Sequence, residues 1–409
     1  MRILFLNTYD IKGGAAIGTY RILSALYDAN HNVSEYVLFK DSKEDYIKGP
    51  ERSFEKFLSI LRPYLEHLPN RIYKKRFANL SISWISNNNL IHKIKKLDPD
   101  IVHLNWINDG LLSIRDLTKI KKPLVWTLRD MWSFTGGCHY VHNLCNKYVT
   151  KCGKCPQLNS KYDFDLSRWI FNRKARVYIK LNLTVVATSN WIANCAKESS
   201  LFKGKRIEVI PNLIDINKYK IISKKVCRDI LGLPANKILI LFGAINALKD
   251  KRKGFHYLKE ALNRLKKNLD FELVIFGTEK YNNTCDYGFK THFLGHLFDD
   301  YSLMMTYNAG DLLIVPSEKE SFGNVAIESL ACGTPVVAFN IGGIPDIIDH
   351  KVNGYIAEPF DTDDLARGIE WILNQNEEML RKNTRVKVEN NFSSSIVLKK
   401  YIDLYKEII

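Results

Sequence analysis

The sequence predicts an α/β protein made of two parallel-sheet domains, and three observations carry that reading. At 409 residues the chain is too long for one ordinary core and suits two domains of roughly 200 residues each. Short apolar strands alternate with helix-length stretches, the pattern of a sheet covered by helices on both faces. The alternation then starts afresh in the second half.

The first unit is Arg2-Ile3-Leu4-Phe5-Leu6, an unbroken apolar strand, followed by Lys12-Gly13-Gly14-Ala15-Ala16 and a helical pattern through Ile22, Leu23 and Leu26. Ile101-Val102-His103-Leu104, Leu124-Val125-Trp126-Thr127 and Leu183-Thr184-Val185-Val186-Ala187 read as further buried strands. The second series is Ile238 to Gly243, Leu273 to Gly277, Asp311 to Val315 and Pro335 to Phe339. Between the series, Ile207-Glu208-Val209-Ile210-Pro211-Asn212 is short and contains proline, which suits an interdomain crossing. The expected domains are residues 1–206 and 207–392, with a helical segment at the end of the chain.

With 46% apolar and 25% charged residues, the composition is that of a globular protein rather than a disordered or fibrous one. The opening apolar run is shorter than a signal-peptide core, and nowhere do about 18 apolar residues run together, so a cytoplasmic protein without a membrane span is expected. The net charge of +16 is uneven: residues 1–203 carry 32 Lys and Arg against 17 Asp and Glu, residues 204–409 carry 28 against 27. A first half of this kind attracts an anionic surface such as a phospholipid layer, a lipid-linked phosphate or nucleic acid. Residues 51–76 interleave Phe54, Phe57, Leu58, Leu61, Tyr64 and Leu65 with Arg52, Lys56, Arg62, Arg71, Lys74, Lys75 and Arg76. That segment is either an ordinary surface helix or an element that docks on a membrane surface.

The chemistry concentrates in Pro316 to Val337. A strand ends there, a loop turns at Phe322-Gly323 and a helix begins, so unpaired helix amides and the positive end of the helix dipole form a phosphate site at the C-terminal edge of the sheet. Ser321, Phe322, Gly323, Asn324 and Val325 line the turn. Glu320 lies before the helix and Glu328 inside it. Two carboxylates beside an anion repel it unless they bind something neutral attached to it, and sugar hydroxyls on both sides of a diphosphate meet that requirement.

These residues resemble the glutamate, seven residues, glutamate signature of the retaining family-four glycosyltransferases. The resemblance implies two facing Rossmann-like domains of the GT-B type, with the active site in the interdomain cleft and the final helix, residues 393–409, crossing back onto the first domain. It assigns Glu320 to the donor sugar and Glu328 to the ribose. Ser189-Asn190-Trp191 and Ile210 to Asp215 resemble the interdomain motif, with Leu213 where glycine is usual. Phe293-Leu294-Gly295-His296 resembles the loop whose backbone meets the nucleobase, and Gly342-Gly343-Ile344-Pro345-Asp346 the glycine turn after the next strand. The strand-end glycines Gly243 and Gly277 belong to the same donor site. Gly13-Gly14 resembles the glycine loop of the first domain, whose missing side chains let backbone amides approach a ligand.

A departing nucleoside diphosphate gains charge and needs cations. Lys253-Gly254 resembles the family's lysine-glycine element; the partner arginine expected after Gly243 is replaced by Ala244, which leaves Lys249 or Arg252 as substitutes. Trp126 to Tyr140 resembles a polysaccharide-biosynthesis branch in which histidine precedes an aspartate near the donor sugar; Arg129 occupies that position and, as a permanent cation, suits an anionic sugar or phosphate. The implied reaction transfers a sugar from a nucleotide-sugar donor, with retention of configuration, to a glycan or lipid-linked glycan acceptor. The leaving phosphate assists proton removal.

Cys138, Cys145, Cys152 and Cys155 have spacing suited to a four-thiolate structural zinc site, with free thiols or redox pairing as alternatives and His139 or His142 as replacement ligands. No metal or other cofactor is needed for the transfer itself, and the run Asp361 to Asp364 reads as a helix cap. The basic first half points to peripheral contact with an anionic inner membrane face. A nucleotide-sugar epimerase of the same fold is the nearest rival. A nucleic-acid-binding protein is a remote one, because no reading motif accompanies the basic residues.

Overall fold

The computed structural model describes residues 1–142, 144–244, 246, 248–279 and 287–409. The chain forms two compact units, Met1–Pro211 joined by Leu398–Ile409, and Asn212–Val397.

The first unit is built on seven strands: β1 Arg2–Tyr9, β2 Asn32–Phe39, β3 Ile47–Lys48, β4 Ile101–Leu104, β5 Leu124–Leu128, β6 Leu183–Ala187 and β7 Arg206–Val209. They lie in the order β3-β2-β1-β4-β5-β6-β7 with every pairing parallel. β4, β5 and β6 are buried along their whole length, which is why each is apolar but for one residue, His103, Thr127 and Thr184 respectively, rather than alternating. β7 is less buried and belongs to this sheet, so residues 207–209 are an edge strand and not part of a free crossing.

The last helix, Ser394–Ile408, reaches the first sheet through Tyr401 and Tyr405, both fully buried. In the middle of β4, His103 bonds the Tyr405 hydroxyl through Nδ1 (2.6 Å) and Thr127 Oγ1 through Nε2 (2.7 Å). A buried polar ring is tolerated when both nitrogens are satisfied.

The second unit holds six strands: β8 Ile238–Gly243, β9 Phe271–Phe276, β10 Thr291–Phe293, β11 Leu312–Val315, β12 Val336–Phe339 and β13 Gly354–Ala357. Their order is β10-β9-β8-β11-β12-β13, again parallel throughout. The α/β, two-sheet architecture is therefore the one expected. Asp361 caps the helix Thr362–Leu373 by accepting from the amides of Asp363 and Asp364, as read from the sequence. Among the described residues no helix is long and apolar enough to cross a membrane.

Burial, with the charge of Arg129 adding to it, holds His103 well below the ordinary histidine value of 6.5. The unfolded chain takes up a proton below pH 6.5 that the folded chain refuses, so this residue makes stability rise with pH up to that point and fall as the solution is acidified. The limiting slope is about 1.4 kcal/mol per pH unit for one group. Thermal unfolding measured between pH 5 and 7 (about one and a half units below the free value to just above it) is expected to show a decline in Tm toward acid that is smaller in His103→Gln. Identical slopes in the two proteins would show that His103 is not the group responsible.

Candidate active site

In a parallel sheet all strands end at one edge, and the position where the strand order reverses opens a gap between two outgoing loops. In the second sheet that position lies between β8 and β11. Lys253 follows β8 in a single tight turn, Lys251–Lys253, and Glu320 follows β11 in the loop before the helix Asn324–Ala331. Their side chains meet: Lys253 Nζ donates to Glu320 Oε2 at 2.9 Å, with both groups partly accessible.

Backbone contacts fix both partners. A Cβ on Gly254, which has φ +73°, would lie 1.7 Å from the Pro316 carbonyl oxygen, and one on Gly342, φ +54°, would lie 1.8 Å from the Glu320 carbonyl oxygen. The Gly343 amide donates to that same Glu320 oxygen at 3.0 Å, and the Glu318 amide to the Arg252 carbonyl at 2.7 Å. Helix Asn324–Ala331 begins at Gly323 without a side-chain cap, and the Ala326 amide donates to the Gly323 carbonyl at 3.0 Å. Asn324 Oδ1 accepts from Asn212 Nδ2 at 2.8 Å.

Glu328 is placed differently from Glu320. It is buried, and its Oε2 accepts from the hydroxyl of Tyr307 at 2.7 Å. Tyr307 is itself fully buried, and burial together with the Glu328 charge pushes its hydroxyl well above the ordinary tyrosine value. This partner lies 21 residues before Glu328, and no local pattern announces it.

The other expected donor residues gather at the same sheet edge. Gly243 ends β8, where a Cβ would fall 2.1 Å from the Phe276 ring. Gly277 and Gly295 follow β9 and β10, and the Gly277 amide donates to the Gly295 carbonyl at 2.7 Å. Phe322 is core, edge-on to Phe392; Ser321 is buried and Val325 is partly buried. Arg252 is turned onto Asp250, donating from Nη2 at 2.7 Å and from Nε at 3.0 Å.

In the first unit Gly13 precedes the helix Gly14–Asp28, at the end of β1 where that sheet reverses toward β4. Arg129, just beyond β5, donates from Nη2 to Asn105 Oδ1 (2.9 Å) and Thr19 Oγ1 (3.1 Å). Burial pushes it down to about 10, against the pull of Tyr401, Glu35 and Tyr405, so it remains a cation at neutral pH. Asp130 pairs with His139 Nδ1 at 2.7 Å, and His139 Nε2 meets Ser81 Oγ at 2.8 Å. Burial alone would raise the Asp130 carboxyl; His139 and hydrogen bonds from Trp132 and Trp106 bring it below the usual value.

Cys138, Cys145, Cys152 and Cys155 line one small cavity with Leu80 and Gly136. They are free thiols, and Cys285 lies outside the described residues. Among the described residues no group of three or more His, Cys, Asp or Glu is arranged to hold a metal ion. Cys152 packs into the core of the first sheet and accepts from the Gly136 amide at 3.2 Å, while Cys155 packs with Leu80, Leu158 and Ile170. Burial pushes the Cys138 thiol up to about 12.

A lysine-glutamate pair beside a helix start, at the strand-end edge of one of two parallel-sheet units, is the arrangement that the comparisons with known proteins place in a family. The fold is shared with the Anabaena protein HepE solved with UDP and glucose, at a TM-score of 0.66 and 18% identity over 100% of both chains. An uncharacterized glycosyltransferase of Methanocaldococcus jannaschii is 32% identical over 189 residues, 44% of this chain and 47% of its own. WcaC of Escherichia coli K12, named for glycosyl transfer in colanic acid biosynthesis, is 26% identical over 388 residues, 88% of each chain. Three of the curated relatives are spanned over 47%, 38% and 60% of their own length. The chain belongs to Glycosyltransferase Family 4, whose model matches residues 12–218, and the model of Glycosyl transferases group 1 matches residues 224–389.

The two glutamates are expected to respond differently to truncation. Glu328→Ala leaves the buried Tyr307 hydroxyl without its acceptor and should cost about 1–3 kcal/mol of stability. Glu320→Ala removes one side of a partly exposed ion pair and should change stability by about 1 kcal/mol or less. Chemical denaturation of both variants checks this, and equal midpoints would contradict the environment assigned to Glu328.

Proposed function

We propose that this protein is a retaining glycosyltransferase that moves a sugar from a nucleoside-diphosphate sugar to a lipid-linked glycan acceptor during assembly of a cell-surface polysaccharide. The observation that carries the reading is the Lys253–Glu320 pair beside the uncapped start of helix Asn324–Ala331. HepE's binding of UDP and glucose supports the donor class, and the name of WcaC supports the pathway class.

In this reading the diphosphate sits at the helix start, where the first-turn amides and the dipole favour an anion. Lys253, held by Glu320 while the site is empty, turns toward the phosphate and offsets the charge that builds as the glycosidic bond breaks. Glu320 then accepts hydrogen bonds from the sugar hydroxyls, and Glu328 binds the ribose. Gly243, Gly277 and Gly295 admit the nucleoside at the sheet edge. The acceptor attacks from the side the phosphate leaves, and the phosphate takes the proton, which accounts for retention without a dedicated protein base. No step is routed through a metal.

Three measurements test the reading. A thermal-shift screen against nucleoside diphosphates and their sugars should find a ligand that stabilises the protein, by about 2.7 kcal/mol at a hundredfold excess over Kd. With that donor and a lipid-linked acceptor, the product should keep the donor's anomeric configuration by NMR. Lys253→Ala should lower kcat about 100- to 1000-fold. A product of opposite configuration would refute retention, and a Lys253→Ala enzyme of wild-type turnover would remove the lysine from the site.

A further inference from the structure

The helix Ser53–His67 is packed with its polar side inward. Glu66 is fully buried and accepts from the Ile82 amide (2.7 Å) and the Ser83 amide. Arg62 donates to the carbonyls of Gly110 (2.7 Å) and Ser86 (2.9 Å), and Glu55 is engaged by Lys93 (3.0 Å) and Asn89 (2.9 Å). The opposite side is apolar and points to solvent. Phe54 is 68% exposed, Phe57 62%, Ile60 60% and Tyr64 70%, with Leu61 and Leu65 beside them. At 3.6 residues per turn these six lie within an arc of about 140°, and Glu55, Ser59, Arg62 and Glu66 lie on the other side. The stripe continues past the helix through Leu68 and Ile72, the latter 79% exposed. Trp84, partly exposed, hands its indole N–H to the Leu65 carbonyl and presents an amphipathic ring at the margin.

The charge next to this face selects its partner. Residues 52–77 hold seven Lys and Arg against two Glu, and both glutamates are already engaged. Arg71, Lys74 and Lys75 are exposed just beyond the apolar stripe. An apolar face with a flanking row of cations is the arrangement of a helix that lies in the headgroup layer, its side chains among acyl chains and its cations on anionic lipids. A symmetric contact with a second copy would bring the two basic rows together and is disfavoured by their repulsion.

We propose that the outward face of helix Ser53–His67, with Arg71, Lys74 and Lys75, docks this protein on an anionic lipid bilayer. The helix lies in the plane of the surface and does not span it. The inference deepens the lipid-linked acceptor reading, and its test needs neither donor nor acceptor. Sedimentation of the full chain with phosphatidylcholine vesicles, with and without phosphatidylglycerol, at low and high salt, reads binding directly. The wild type should bind the anionic vesicles only and release them as salt rises. Phe57→Ser with Tyr64→Ser, and separately Lys74→Glu with Lys75→Glu, should each weaken binding about tenfold or more. Circular dichroism should show unchanged melting, since these residues are exposed. In Phe57→Trp, brominated acyl chains should quench the new indole.

Absence of binding, binding indifferent to lipid charge, or unaltered binding by both double variants would overturn the proposal. So would a lipid-independent dimer, seen by light scattering, that Phe57→Ser with Tyr64→Ser dissolves. A protein that binds vesicles but gives no response to any nucleotide sugar would leave this proposal standing and remove the donor reading instead.

Discussion

Two glycine backbones grip the loop after β11, one on each side. Gly254 presses on the Pro316 carbonyl and Gly342 on the Glu320 carbonyl, each at a distance that no side chain could occupy and each with a positive φ. A side chain at either position would therefore meet both a clash and backbone strain. The grip sets where Glu320 emerges, and the same turn that carries Gly254 carries Lys253, so the 2.9 Å contact between lysine and glutamate follows from backbone packing rather than from the weak attraction of a partly exposed pair. Pre-positioning of this kind matters for catalysis because groups already in place need no reorganisation when charge develops.

Much of this could be read from the sequence because it is local. Lys253-Gly254, Glu320 to Glu328 and Gly342-Gly343 each sit at a strand end, and a parallel sheet brings all strand ends to one edge. What could not be read is long-range complementarity. Tyr307, which holds Glu328, comes from the helix Asp300–Ala309, and Thr19 and Asn105, which hold Arg129, come from elements far away in sequence. The fold shows the same division. Fully buried strands such as β5, apolar but for Thr127, and β12, wholly apolar, stand out in the sequence, whereas the edge strands β3, with two residues, and β7, with its partly exposed Arg206–Val209, carry no comparable signal.

Arg129 shows how a substitution at a reactive position becomes structural. Its guanidinium joins Asn105, after β4, to Thr19 in the helix that starts at the glycine loop, so three strand-end segments of the first sheet share one cation. Close by, burial lifts the carboxyl of Glu35 well above the ordinary value; the Asp10 charge lifts it further, and Arg129 pulls it down. A permanent cation fits such surroundings where a neutral ring would leave the acids uncompensated. Asp130 takes its partner from elsewhere, the His139 ring, which is stacked on Trp106 and bonded to Ser81.

The basic excess of the first half needs the same discrimination between charges that are occupied and charges that face outward. Lys93 is committed to Glu55, Lys119 to Asp116 and Lys122 to Asp98, so the basic runs at residues 93–96 and 119–122 are partly neutralised within the fold. The cluster after helix Ser53–His67 keeps Arg71, Lys74 and Lys75 exposed. Local needs impose the orientation of that helix. The amides of Ile82 and Ser83 are buried beneath the helix, where a backbone group without a partner costs about 1–3 kcal/mol, while the carbonyls of Gly110 and Ser86 lie nearer solvent. Glu66 and Arg62 satisfy all four. Once the polar side is turned inward to do so, the aromatic and aliphatic side has nowhere to go but out, where water solvates it poorly and an acyl layer accepts it.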